Sequence, residues 1–381
     1  MKKMLILTFV LIVGMGVLVW KSVETEAENN YASLTTEDSI GKCGEDASRN
    51  YLFLESEKES VRKLGELEGM CGSSISNKVI IRVNIPTTKE LAMIQASTVS
   101  KSILEIRDKG LIPLIYLEAS STWDDSFFTN LAKGGYNTYI LDFLTTLNQS
   151  GVKSDDVYGW VVIPQANLPN WTRKYIAPTD FTKYYLVIHE NIVKIFPESD
   201  VGVLFNSSSY QEHPVDWSNR DYRTLTPYVV DVPKGKINIV GIEGYPSIPS
   251  VGTTGAMVIS PAEYLPKFLI EELIVLAEPK KVIVSTNTFS ALNADDKEKV
   301  VLMPADTRAT ILDETLDIIK TYKVGEAKLS IVLGSPTLVE YKGADWDYFG
   351  TVNNQNSKNK SVLLGFLQDL YKNKIDLIYG Y

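Results

Sequence analysis

The sequence predicts an α/β protein, a closed (β/α)8 barrel behind an N-terminal membrane anchor or signal segment. Three observations carry that expectation. Short apolar runs alternate strictly with amphipathic helical segments from Tyr51 onward. The strand runs are nearly continuous in apolar residues, as parallel strands buried on both faces require. No glycine-rich phosphate loop follows the first run, which separates the pattern from an open doubly wound sheet.

The elements follow in order. Lys2 and Lys3 precede an apolar run from Met4 to Trp20, so residues 1–20 read as a signal anchor or signal peptide with export behind it. Residues 21–48 are polar and acidic and read as a tether. Residues 49–381 form the barrel. Tyr51–Glu55 is the expected first strand, and Ser56-Glu57-Lys58-Glu59 fits a capping box that opens a helix to Glu68. Val79–Ile85 is the second strand. Thr87-Thr88-Lys89-Glu90 is another capping box, for a helix to Arg107 that Gly110 ends. Leu111–Leu117 is the third strand, followed by a long excursion and a helix near 136–147. Tyr158–Ile163 is the fourth. Pro178 suits the first turn of a helix to Phe196. Val201–Phe205, Ile237–Ile242, Val282–Val284 and Leu329–Leu333 complete the eight strands. Helices are expected near 220–230, 260–276, 307–322 and 362–371.

Bulk numbers bound the function. A hydrophobic share of 44% with 22% charged residues is that of an ordinary globular chain. A net charge of -9 argues against a nucleic-acid partner. Cys43 and Cys71, both after the export signal, are candidates for a disulfide. Closing that loop stabilises by about 3.5 kcal/mol in a chain-entropy treatment. Two buried free thiols are the alternative. The scattered His189 and His213 give no metal spacing, so neither a metal nor a cofactor is expected. His189 reads as a packing or surface residue of its helix.

In a barrel of this kind the chemistry sits at the C-terminal ends of the strands. The residues there are Asn84, Glu118, Trp123, Gln165, Asn167, Trp171, Asn206, Trp217, Glu243, Tyr245, Ser285, Asn287, Asp345, Trp346 and Asp347. Sugars offer apolar C–H faces and rings of hydroxyls, which flat aromatics, amides and carboxylates bind. Asn84, Trp123, Asn167, Trp171, Asn206, Trp217, Tyr245, Asn287 and Trp346 are therefore candidate substrate-binding residues. Some of the tryptophans equally suit a role in pinning loops to the barrel. Glu118 and Glu243 are the candidate catalytic carboxylates, and both also suit structural roles at the rim.

Three motifs resemble the retaining glycoside hydrolases of clan A, most nearly family 26, the β-mannanase family. Pro113-Leu114-Ile115-Tyr116-Leu117-Glu118 resembles the family's third strand. Lys133-Gly134-Gly135-Tyr136-Asn137-Thr138-Tyr139-Ile140 is similar to a helix start that follows it. Val240-Gly241-Ile242-Glu243-Gly244-Tyr245 resembles the sixth strand. The resemblance implies an acid/base glutamate after the fourth strand, where this chain has Gln165. It implies a nucleophile glutamate ending the seventh, where Ser285, Thr286 and Asn287 stand. Retaining hydrolysis needs two carboxyl groups about 5 to 5.5 Å apart, and an amide replaces neither.

Two functions are therefore expected as alternatives. One is an extracytoplasmic barrel that binds a polysaccharide or cell-wall glycan with degenerate catalytic residues. The other is an active hydrolase that uses Glu118 and Glu243. A structural ectodomain without sugar binding is a third. The expected partners are a glycan and, through residues 1–20, a membrane.

Overall fold

The computed structural model describes residues 78–380 apart from 109, 120–124, 165, 168–177, 207–224, 245–246, 250–255, 259–264, 266, 287–289, 293–299, 303–312, 335–368, 371 and 374. The expected anchor, tether, first strand and Cys43–Cys71 pair lie outside the described residues. Among the described residues no helix is long and apolar enough to cross a membrane, and no cluster of three metal-ligating side chains occurs.

Eight parallel strands form a closed ring that resembles a (β/α)8 barrel. They are β1 (Lys78–Asn84), β2 (Ile112–Glu118), β3 (Gly159–Val162), β4 (Val201–Asn206), β5 (Ile239–Gly244), β8 (Lys281–Thr286), β11 (Lys328–Gly334) and β12 (Asp376–Gly380). Two small antiparallel hairpins, β6 (Ser247–Pro249) with β7 (Ala256–Val258) and β9 (Ser290–Leu292) with β10 (Val300–Leu302), stand apart from the ring. The pairing of β1 with β12 closes the ring.

This closure corrects the expected strand count. The ring takes Asp376–Gly380 as a strand, a segment beyond the last expected helix. Counted from Lys78, the run expected as the fourth strand is the third in the ring. The fourth is Val201–Asn206 and the seventh Lys328–Gly334.

Helices α1 (Lys89–Asp108), α2 (Asp125–Ala132), α3 (Asn137–Gln149), α4 (Pro178–Ile195), α5 (Thr226–Val229) and α6 (Lys267–Ala277) belong to the outer layer, as do helical residues 313–319. The cap of α1 sits one residue later than expected. Thr88, not Thr87, accepts the Leu91 amide on its hydroxyl at 3.2 Å. Pro178 opens α4 as expected, where the missing amide costs nothing. The expected helix at 220–230 shortens to Thr226–Val229 among the described residues.

Strand alternation sorts the core into two clusters. Outward residues pack under the helices, with Phe181 touching Tyr185, Phe205 and Tyr228, and Trp160 against Phe196. His189 is buried in this layer beside Tyr185, a packing position as expected. Inward residues Ile80, Leu114, Tyr116, Val161, Leu204, Ile239, Ile283, Val332 and Ile378 plug the barrel. Glycine is required at Gly241 and Gly202. A Cβ there would lie 1.8 Å from the Ile283 and Ile239 carbonyl oxygens respectively.

The N-terminal mouth of the barrel is charged. Lys78 donates to Asp376 at 2.9 Å and Lys328 pairs with the same carboxylate at 2.6 Å. Lys280 and Lys281 both bind Asp200 at 2.8 Å. The Tyr158 ring carries Lys281 at 3.9 Å and Lys78 at 4.7 Å. Burial pushes Lys78 down to about 8 against the pull of Asp376, and pushes the Tyr158 phenol well up.

Candidate functional site

The opposite, C-terminal end collects the inward polar residues. Ladder register and alternation build it in tiers from alternate strands, as strand tilt requires. Ile80, Val161, Gly241 and Val332 form the apolar floor. Above them come Tyr116, Leu204, Ser285 and Gly380, then Arg82, Glu243 and Gly334. Glu118 and Asn84, paired in register, lie higher still on β2 and β1.

Each polar group has a local cause. β1 alternates Lys78, Ile80, Arg82 and Asn84 on its inward face, so charge sits at both ends and an apolar residue at the centre. Glu118 ends β2 in the same way, after inward Leu114 and Tyr116. Arg82 Nη1 approaches Glu118 Oε1 to 2.8 Å, and the guanidinium lies 5.8 Å from the centre of the Tyr116 ring. Burial raises the Glu118 carboxyl above its ordinary range, and Arg82 opposes that rise. The Glu118 side chain is 21% exposed and that of Arg82 36%, so this is the side of the mouth that water reaches. Asn84 beside them is exposed.

Across the ring the site is closed. Glu243 is 1% exposed on β5, three strands from Glu118, as expected. Its register partners are Asn206 on β4 and Ser285 on β8. Ser285 is fully buried and its hydroxyl has no hydrogen-bond partner. Such a group costs about 1–3 kcal/mol.

The stretch after β3 bends sharply. Ile163 is left-handed at φ 47°, rare for a β-branched residue, while its amide still donates to the Leu117 carbonyl at 2.8 Å. Strain of this kind costs of order 1–3 kcal/mol and gathers at ligand sites. Asn167, just beyond, is buried at the rim. The structure thus brings Asn84, Glu118, Glu243 and the Asn206 backbone to one mouth, with Asn167 beside it. Trp123, Gln165, Trp171, Trp217, Tyr245, Asn287, Asp345, Trp346 and Asp347 lie outside the described residues.

Arg82 is the site residue that sequence reasoning passed over. Its signal was the spacing from Asn84, two residues on and therefore on the same face.

Comparison with protein-family models and with curated proteins returns no match. Solved structures give similarities at low identity. The exo-beta-1,4-mannosidase Op5Man5 from Opitutaceae bacterium strain TAV5 aligns at TM-score 0.50 and 13% identity. The alignment covers 78% of this chain but only 54% of the mannosidase, so the chain spans about half the length of that protein. GH5_18 from Streptomyces cattleya, in complex with GlcNAc, aligns at TM-score 0.48 and 11% identity over 76% of this chain and 71% of its own. The beta-glucosidase from Thermotoga maritima in complex with castanospermine aligns at 0.41 and 9% over 84% and 76%. The first of these likenesses shows that the chain shares the fold of that mannosidase.

Proposed function

We propose that the protein is an extracytoplasmic, glycan-binding barrel of the clan A type that has lost hydrolysis. One observation carries the reading. Whether the strands are counted from Tyr51 or from Lys78, the two positions that clan A hydrolysis uses lack a carboxylate. The first count gives Gln165 after the fourth strand and Ser285, Thr286 and Asn287 at the seventh. The second gives Asn206 and Gly334. Amides bind sugar hydroxyls well but neither attack an anomeric carbon nor shuttle its proton.

The remaining inward carboxylates fit binding better than catalysis. Glu118 is held by Arg82, and Glu243 is sealed from water. The three motifs support a polysaccharide or cell-wall glycan as the ligand. Residues 1–20 would hold the barrel at the outer face of a membrane, cleaved or uncleaved.

The test is a screen of the purified protein against a glycan panel, reading binding and reducing-end release together. The expected outcome is binding without release. In a second arm, Gln165→Glu is tested for gained release. An active inverting enzyme would instead place Glu118 and Glu243 about 6.5–9.5 Å apart around a water. Release that either Glu118→Gln or Glu243→Gln abolishes overturns the proposal in favour of that enzyme.

A further inference from the structure

The helical layer is interrupted at one place in the ring. Each of the seven crossovers between consecutive ring strands, from β1–β2 to β11–β12, carries helical residues. The eighth interval lies between β12 and β1. Those strands meet by ladder pairing, and no crossover joins them because β1 precedes β12 in the chain. The seam is nonetheless apolar on its outer face. Strand alternation turns Ile81 and Val83 of β1 and Leu377 of β12 outward, away from inward Ile80 and Ile378. Val83 and Leu377 are buried and Ile81 is half-buried. Helix α1 borders the seam. Its Met93 lies on the flank towards α3, where the Thr146 hydroxyl meets the Met93 sulfur at 3.4 Å. Helical periodicity puts Leu91, Gln95 and Ser102 on the other flank, towards the seam. Leu91 is 42% exposed there. Gln95 Oε1 is buried without a hydrogen-bond partner, so this flank is covered rather than open to water.

We propose that residues 56–68 of this chain fill the interval as the eighth helix, packed over β12 and β1 and against the Leu91 flank of α1. Three features select this segment. The Ser56–Glu59 capping box opens it and Gly69 suits its end. Val61, Leu64 and Leu67 fall on one helical face, with Lys58, Glu59, Arg62, Lys63 and Glu66 on the other, which is the pattern of a helix that covers a barrel. Its length also matches. A helix over 56–68 spans about 20 Å, against about 23 Å for the strand Lys78–Asn84. Residues 69–77 then lead directly into Lys78. Because β1 begins at the N-terminal mouth, a helix that feeds it runs antiparallel to it, from the rim downward, like the other helices of the ring. The eighth helix is thus supplied from in front of the first strand. Residues 1–55 leave the barrel at its rim end, on the side of β1 and so at the end that carries Arg82 and Asn84.

The test is hydrogen–deuterium exchange of the full chain, read by mass spectrometry, with melting temperature recorded in parallel. Leu64→Asp alters the apolar face of the segment, Leu91→Asp the flank that receives it, and Lys63→Gln the charged face as a control. In the wild type the amides of residues 60–68 should exchange at least about 100-fold more slowly than an unstructured peptide. Leu64→Asp should abolish that protection and lower the melting temperature by about 4 °C or more. Leu91→Asp should reduce protection at 60–68 by at least about tenfold, although it lies in another element. Lys63→Gln should change neither reading. Unprotected amides at 60–68 in the wild type overturn the proposal, and so does protection that Leu64→Asp and Leu91→Asp both leave intact. Protection that is lost on dilution, together with a monomer–dimer transition in sedimentation, overturns it in favour of a second copy of the chain at the seam. If Leu64→Asp unfolds the barrel, Leu91→Asp alone decides, because Leu91 is partly exposed.

Discussion

Lys78 makes the stability of this barrel depend on pH in a defined window. Its side chain is 5% exposed and its ammonium is held by Asp376 at 2.9 Å, beside Lys328 and over the Tyr158 ring. Burial still outweighs the pairing and moves the group from 10.5 to about 8. The unfolded chain therefore binds more protons than the folded one between those values. Stability rises with pH across that window and is reduced below it. The shift corresponds to about 3 kcal/mol at about 1.4 kcal/mol per unit. Lys281, also lowered by burial, adds in the same direction. Tyr158, raised by burial, acts in the opposite direction above pH 10. The assay is urea denaturation of the wild type and of Lys78→Met at intervals from pH 7.5 to 10.5. Methionine fills similar volume without a charge, and Lys328 continues to pair with Asp376. The variant should be the more stable at pH 7.5, and its advantage should shrink by about 3 kcal/mol by pH 10.5. A constant difference between the two proteins across this range would refute the argument that burial controls Lys78.

Three further outcomes are expected. Gly241→Ala forces its Cβ against the Ile283 carbonyl at 1.8 Å. It should lower the melting temperature by about 6 °C or more, read by calorimetry. Asp200 is held below its ordinary range by Lys280 and Lys281 despite its burial. Asp200→Asn should therefore cost about 3 kcal/mol at pH 7, a loss that shrinks as acid protonates the wild-type carboxylate. Arg82→Met removes the cation that opposes the burial of Glu118. The Glu118 titration followed by carbon NMR should then move further upward, and no movement would mean that the 2.8 Å pair is absent in solution.

Much of this fold is legible in the sequence. Seven of the expected strands appear in the ring, because each is a β-branched apolar run bounded by polar or glycine residues. The strand Asp376–Gly380 was not legible. Its inward residue at the start is an aspartate, which makes sense only against Lys78, 298 positions earlier. Missing it displaced the strand count by one. At the start of α1, Thr87 and Thr88 offer the same hydroxyl, and only the Leu91 amide distinguishes Thr88 as the cap. Glu118 and Glu243 were legible as strand-terminal acids. The Arg82 partner of Glu118 was not, since pairing depends on the register between β1 and β2. The tiers that set Ser285 beside two glycines likewise come from register around the whole ring.

The closure of β1 onto β12 also sets a waiting time. The Lys78–Asp376 contact spans 298 residues. At about 5–20 residues per second, ribosomal synthesis separates its two halves by about 15–60 s. During that interval β1 lacks β12, the strand that covers its second edge in the ring. Loop closure over such a span is slow even once the partner emerges. Nascent chains of this protein should therefore depend on a holding factor that shields a lone parallel edge, and protection of the β1 amides should be the last to appear in pulse-labelled refolding.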